Sequence, residues 1–228
     1  LMESGARKII AFFDEATAED ERWWSGHSTV QVDYRFILEK VLSEPWLGVI
    51  LKPKKPGTLR KRLGPVVEIL EQAIRTGRCH LYDQDYMTTP AEAAMSSDIA
   101  IHDNLCAGTA GLEAALAGTP TLMLDRYGWK RSRIYKLGEK VVFQGLPLLW
   151  EALMEHWNKQ AIPGFGDWSP IMDEFDPFRD GKAAHRMGTY LHWLIQGYEK
   201  GQDREVILAD AAAKYCKQWG QDKVVQMS

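Results

Sequence analysis

The 228-residue sequence predicts an α/β protein in which a doubly wound parallel sheet is followed by a helical extension, and three observations lead there. Apolar runs of strand length recur along the first two thirds of the chain. A stretch of helical apolar spacing separates most of them from the next. The intervals are short enough to require right-handed crossovers between parallel strands, with helices covering both faces of the sheet.

Lys8-Ile9-Ile10-Ala11-Phe12-Phe13 reads as the first strand, ending at the acidic pair Asp14-Glu15 as a buried strand with a functional carboxyl end would. A polar stretch with Trp23, Trp24 and Ser25-Gly26-His27-Ser28-Thr29 follows as a loop, and Tyr34, Ile37, Leu38, Val41 and Leu42 then mark a helix that stops before Pro45. Leu47 to Leu51 is the second strand. Lys52-Pro53-Lys54-Lys55-Pro56-Gly57 leaves it as a stiff basic loop, because two prolines forbid continuing either element. Leu63, Val66, Val67, Leu70, Ala73 and Ile74 form the apolar face of the next helix, with Gly77 at its C-terminal cap. Arg78 to Tyr82 is a third strand, and Thr89-Pro90-Ala91-Glu92 opens a short helix with a capping residue and a proline at its first position. Ser97 to His102, the helix Thr109 to Leu116 closed by Gly118, and the strand Pro120 to Leu124 complete the alternation, which Val141-Val142-Phe143 extends by one short strand. Helices follow over Leu148 to Trp157, Lys182 to Tyr198 and Asp203 to Trp219, with a long ordered loop from Gly164 to Asp180. The expectation is a Rossmann-like domain over residues 1–160, with a loop and helical extension over 161–228 packed on it.

Composition narrows the function. Apolar residues make up 45% of the chain and charged residues 26%, with a net charge of −3, so nothing draws the whole molecule to nucleic acid and any anion site must be local. No apolar run reaches the length of a bilayer span, and a soluble, cytosolic protein is expected, with the inner face of the membrane as an alternative place for it. Cys79, Cys106 and Cys216 are too far apart for a metal knuckle and are read as plain thiols, and no metal or cofactor is expected. The leucine ahead of the first methionine leads us to expect a piece of something longer. No GxGxxG follows the first strand, which disfavours a simple dinucleotide-dependent dehydrogenase.

In open α/β sheets ligands bind outside the carboxyl ends of the strands, so the loops after the strands matter most. His102-Asp103-Asn104-Leu105-Cys106-Ala107-Gly108 leads into the helix Thr109-Ala110-Gly111-Leu112-Glu113. Gly108 lets backbone approach a ligand, Thr109 serves at least as an N-cap, and the first-turn amides with the helix dipole suit a phosphate. Glu113 lies one turn on from Thr109 on the same side, where an ionised carboxylate can accept from both hydroxyls of a ribose. Read alone, Glu113 could equally cap, pair with a lysine or be solvated. Lys52 and Lys54 set mobile positive charge beside the proposed phosphate, or form a solvated basic turn. His102 and Asp103 are the candidate catalytic pair, against the alternative of a packed strand-end histidine. His27 is a weaker substrate candidate. Asp14-Glu15 and Asp83-Asp85 lack named partners. Trp46, Trp150, Trp157, Trp193 and Trp219 read as core anchors, whereas Trp23, Trp24, Trp129 and Trp168 lie in loops. Asp173, Glu174, Asp176 and Asp180 lack the spacing of a calcium loop and read as a solvated turn.

The run Gly108-Thr109-Ala110-Gly111-Leu112-Glu113-Ala114-Ala115-Leu116-Ala117-Gly118-Thr119-Pro120 resembles the signature of the nucleotide-sugar-binding domain of GT-B glycosyltransferases. The resemblance implies that Glu113 binds the ribose and that Gly108, Thr109 and Ala110 face the donor's phosphates. The turn Lys52-Pro53-Lys54-Lys55-Pro56 is similar to a Lys-Pro-His-Pro turn of bacterial capsule transferases and of transferases using CDP-linked polyols, although Lys54 stands where that pattern has histidine. By resemblance the chain is the donor-binding half of a transferase acting in bacterial surface polysaccharide assembly. Its donor would be a CMP-, CDP- or UDP-linked sugar and its acceptor a saccharide or a lipid-linked one. An N-terminal domain or partner chain would complete the cleft. A nucleotide-sugar epimerase using the same cradle, and a non-catalytic binding or assembly module, are the alternatives.

Overall fold

A computed structural model describes residues 1–20, 25–83, 87–106, 108–158 and 161–223. These form two compact units, residues 1–171 and 172–228. Trp23, Trp24 and Asp85 lie outside the described residues.

In the first unit the described elements run β1 (Lys8–Phe13), α1 (His27–Ser43), β2 (Leu47–Lys52), α2 (Leu59–Leu63), α3 (Val67–Arg75), β3 (Cys79–Leu81), α4 (Pro90–Met95), β4 (Ile99–His102), α5 (Thr109–Leu116), β5 (Thr121–Leu124), β6 (Val142–Phe143) and α6 (Leu146–Asn158). The six strands pair in the order β3-β2-β1-β4-β5-β6, and every pair is parallel. The doubly wound α/β expectation is therefore met. Strand alternation sorts the core onto two faces. Ile10, Phe12, Val49, Leu51, Ile101 and Leu122 join Tyr34, Ile37 and Leu38 of α1, Leu70 of α3 and Leu149 of α6 in a core of large side chains. Ala11, Phe13, Ile50 and Ala100 join Ala93 and Ala94 of α4 and Ala114 of α5 on the other face, where small side chains let the helices come close.

Local chemistry accounts for the boundaries. Thr89 and Glu92 form a complete capping box around Pro90, and Gly77 follows α3 at φ +70°. Three sequence expectations are corrected. The single helix expected from Leu63 to Ile74 is broken, because Pro65 cannot donate a backbone hydrogen bond and Gly64 sits at φ +52°; α2 ends there, and a 3-10 turn over Gly64–Val66 leads into α3. His27, Ser28 and Thr29 are the first turn of α1 rather than loop. Residues 161–171 belong with the first unit, so it runs past residue 160. Gly166 accepts from the Thr121 amide at 2.9 Å, the Trp168 indole donates to the Thr121 carbonyl at 2.9 Å, and Phe165 meets Phe143 with ring centroids 6.2 Å apart. Trp168 is thus a core residue, as are Trp150 and, in part, Trp46 and Trp157, whose rings meet edge to face at 5.8 Å.

The second unit holds α7 (Met172–Phe175), where a continuous loop was expected, then α8 (Ala183–Glu199) and α9 (Arg204–Trp219). Asp203 caps α9 by accepting from the Glu205 amide, and the missing side chain of Gly197 lets α8 approach Ile207. Trp193 and Trp219 pack at 5.6 Å, and Tyr215 bridges Trp219 and Tyr190. The acidic turn is tied up locally: Asp176 accepts from the Phe178 and Arg179 amides, Asp180 pairs with Arg186 at 2.6 Å, and Asp173 pairs with Arg179 at 3.2 Å.

One buried cation clasps the sheet to α1. Arg78 directs one guanidinium nitrogen at the carbonyls of Val41, Glu44 and Leu47, at 2.7, 2.8 and 2.8 Å. It closes the carboxyl end of the helix, where a cation is favourable. Arg78→Met keeps the apolar stem but orphans those carbonyls, and should lower unfolding free energy by about 2–4 kcal/mol in a denaturant titration.

Candidate functional site

Parallel register builds the site. Phe13 pairs with Lys52 on one side and with His102 on the other, so the carboxyl ends of β2, β1 and β4 finish in one row. The chain leaves β1 and β4 toward opposite faces, and between their ends lies the crevice that doubly wound sheets offer to ligands. A cavity of about 190 Å³ occupies it, lined by Phe13, Asp14, Glu15, Lys52, Pro53, Lys54, Pro90, His102, Thr109, Ala110 and Glu113.

The start of α5 can lie against this row because two glycines precede or begin it. A Cβ on Gly111 would fall 2.5 Å from the Met123 sulfur and 3.3 Å from the His102 Cβ, and one on Gly108 would fall 3.2 Å from the Leu105 carbonyl oxygen. Gly108, not Thr109, is the N-cap. Thr109 is the first helical residue, and the cap position makes no side-chain hydrogen bond. That corrects the capping role assigned to Thr109 and leaves the first-turn amides without a side-chain cap. Gly108 shapes the approach but is not among the cavity-lining residues, whereas Thr109 and Ala110 are. Glu113 is exposed on the cavity wall and, among the described residues, makes no ion pair; it is neither sealed in the core nor a cap.

Lys52 and Lys54 both reach the cavity. Lys54 is already engaged: its ammonium pairs with Glu15, and its amide donates to Asp14 at 2.6 Å. An anion arriving there has to compete with Glu15 for that charge.

His102 and Asp103 do not form a catalytic dyad. Nδ1 of His102 stands 3.8 Å from the Asp103 carboxylate and instead accepts from the Asn104 amide at 3.1 Å. Burial, with the nearby Lys54 charge, pushes the His102 pKa down to about 4 against the opposing pull of Glu15. The ring is neutral at ordinary pH, with its proton on Nε2, so His102 is a hydrogen-bond donor rather than a base. Asp103 is fully buried, with one carboxylate oxygen unpartnered, and does not line the cavity. Burial, then repulsion from Asp14 and Asp33, raises its pKa well above the usual carboxylate range. His27 starts α1, meets the Thr17 hydroxyl through Nδ1 at 2.8 Å, and is not among the cavity-lining residues.

Sequence reasoning missed what lies beneath the cavity. Asp14 at the end of β1, Asp33 on α1 and Asp103 after β4 are buried together with the Tyr34 hydroxyl. Two arginines meet them. Arg62 of α2 pairs with Asp14 at 2.8 Å, and Arg126 pairs with Asp33 and donates to the Asp103 carbonyl at 2.9 Å. Burial raises the pKa of Asp14 despite Arg62, and raises that of Asp33 to about 6 despite Arg126. One signal was available: Asp33 falls in phase with Val30, Tyr34 and Ile37 on the buried face of α1.

No protein-family model and no curated protein matches the chain. Among solved structures it is similar to a putative UDP-N-acetylglucosamine 2-epimerase from Listeria monocytogenes, with a TM-score of 0.54 and 20% identity over 89% of this chain and 48% of that one. It also aligns with the C-terminal CMP-Kdo binding domain of WaaA from Acinetobacter baumannii, with a TM-score of 0.44 and 14% identity over 68% of this chain and 84% of that one. The first likeness shows a shared fold, and the chain spans about half the length of that structure.

The Asp33 environment predicts a pH signature. Its folded pKa of about 6 exceeds the unfolded value of about 3.9, so the folded state holds the extra proton between them, and its contribution is lost as pH rises through that window. The stability of wild type minus that of Asp33→Asn should fall by up to about 1.4 kcal/mol per pH unit between about pH 4 and 6 and level off above about 7. Paired urea titrations across that range read it directly; a flat difference would contradict the buried carboxylate.

Proposed function

We propose that the cavity binds a nucleotide-sugar donor and that the chain is the donor-binding half of a GT-B-type glycosyltransferase of bacterial surface polysaccharide assembly. The observation behind this reading is the convergence, in one cavity, of Lys52, Lys54, the first turn of α5 and the exposed Glu113. For the first turn of α5 and for Glu113 the sequence resemblance implies phosphate and ribose contacts, and the two lysines set positive charge beside them. The donor would be a CMP-, CDP- or UDP-linked sugar.

Size and charge set the pose. A cavity of about 190 Å³ is smaller than the roughly 300–1,000 Å³ of pockets that enclose a whole drug-sized ligand. It suits the phosphate and ribose, with base and sugar lying along the open strand edge. The α5 amides and the two lysines meet the phosphate, and Glu113 accepts from the ribose hydroxyls. As the bond to the departing nucleotide breaks, charge grows on its phosphate, and Lys54 is free to exchange Glu15 for it. The chemistry asked of this half is positioning and electrostatic stabilisation. His102, neutral and holding a proton on Nε2, supplies a hydrogen bond. The base that activates a saccharide or lipid-linked acceptor belongs to a further domain or partner chain.

A nucleotide-sugar epimerase is the second reading, favoured by the fold shared with the Listeria structure. It would use the same cradle, and product analysis separates transfer from epimerisation.

A thermal-shift panel of CMP, CDP, UDP and GDP compounds tests the donor reading. A true ligand at 100 times its dissociation constant adds about 2.7 kcal/mol of stability. Glu113→Ala should weaken the ribonucleotide by about tenfold or more, the scale of a lost hydrogen bond to a charged group. It should also narrow the gap between the ribonucleotide and its 2′-deoxy form. Absence of any nucleotide-dependent shift in wild type would leave a non-catalytic module as the better account.

A further inference from the structure

The loop that leaves β5 is built to present aromatic rings and cations outward. Asp125, buried at the strand end, accepts from the amides of Tyr127, Gly128 and Trp129 at 3.1, 3.1 and 2.8 Å, and from the Tyr135 hydroxyl. Gly128 takes the turn at φ +71°, the Ser132 amide donates to the Trp129 carbonyl at 2.8 Å, and Ile134 is buried. The loop is thus tied down at both ends. Between the ties Trp129 is 48% exposed and Tyr127 44% exposed, and Lys130 and Arg131 are exposed beside them.

The charge on this loop is almost all of one sign. Residues 126–140 hold six cations, Arg126, Lys130, Arg131, Arg133, Lys136 and Lys140, against the single carboxylate of Glu139, in a protein of net charge −3. Arg126 is committed to Asp33, and Lys140 donates to the Pro163 carbonyl, while Lys130 and Arg131 at the tip are exposed. Cations alone would attract any polyanion. Two exposed, amphipathic rings held in place among them match the interface of a bilayer, where tryptophan and tyrosine sit at headgroup level and lysine and arginine meet anionic lipid.

We propose that the β5 loop, through Trp129, Tyr127, Lys130 and Arg131, docks the protein reversibly on an anionic bilayer surface. The loop follows the carboxyl end of β5, which pairs with β4 in the register His102 to Met123, so it emerges from the same sheet edge as the cavity. Docking would turn that edge toward the membrane, where a lipid-linked acceptor resides. The docking itself does not depend on the donor reading. One loop is a single weak anchor, so binding should be salt-sensitive and reversible.

Flotation of the 228-residue protein with vesicles tests this. With vesicles of equal parts phosphatidylcholine and phosphatidylglycerol it should float at low salt and be released at high salt, and it should not float with phosphatidylcholine alone. Each tip cation near the surface contributes about a fivefold factor, so Lys130→Ala with Arg131→Ala should weaken binding about 25-fold. Trp129→Ser should weaken vesicle binding while leaving retention on immobilised heparin unchanged. Both variants should keep the wild-type melting temperature and nucleotide-dependent thermal shift, which separates this result from failure of the donor site. Equal flotation with neutral vesicles, or no flotation of wild type at low salt, overturns the proposal. Vesicle binding that ignores Trp129→Ser does so too and marks the loop as a site for soluble polyanions.

Discussion

Every feature of the candidate site depends on one constraint, the reversal of strand order at β1. Because β2 and β4 flank β1 in parallel, all three strands finish on the same edge, yet the chain leaves β1 and β4 toward opposite faces. The backbone is therefore absent at the point where three loops meet, and a cavity forms without any loop having to fold away from the body. Lys52 and Lys54 arrive on the loop after β2, Asp14 and Glu15 after β1, and His102 at the end of β4.

Electrostatics then decides what each of these groups can do. Under the cavity, three buried carboxylates face two guanidinium groups, an arrangement whose desolvation cost approaches or exceeds its Coulombic return. Such a cluster is poor evidence for stability. It does tie α2, α1 and the loops after β1, β4 and β5 to one another, because removing either arginine leaves a buried aspartate without its ion-pair partner. The same burial that raises the aspartates lowers His102, so the histidine nearest the cavity is a neutral donor. Lys52, Lys54 and Glu113 are the charges on the cavity wall that a ligand would meet.

Small residues do comparable work on the other face. Gly111, Ala114, Ala93 and Ala94 let α5 and α4 approach a sheet face whose own side chains are Ala11, Phe13 and Ala100. The large-residue face under α1, α3 and α6 carries most of the apolar burial. This division lets one helix start sit against a strand end while the core stays filled.

The sequence by itself determined the alternation of elements, the parallel sheet, the capped helix start at Thr89-Pro90 and the backbone approach at Gly108, because periodicity, caps and glycines act over a few residues. It also marked Lys52, Lys54, Thr109 and Glu113, since strand-end loops are where ligands bind. Only the tertiary structure decided that Asp103 turns into the core, that His102 gives its Nδ1 to the Asn104 amide, that Lys54 is held by Glu15, and that Arg62 and Arg126 meet Asp14 and Asp33. Those pairings join residues far apart in the chain. They exist only once the crossovers have brought separate loops to the same edge, and no local pattern encodes which charge will be left without water.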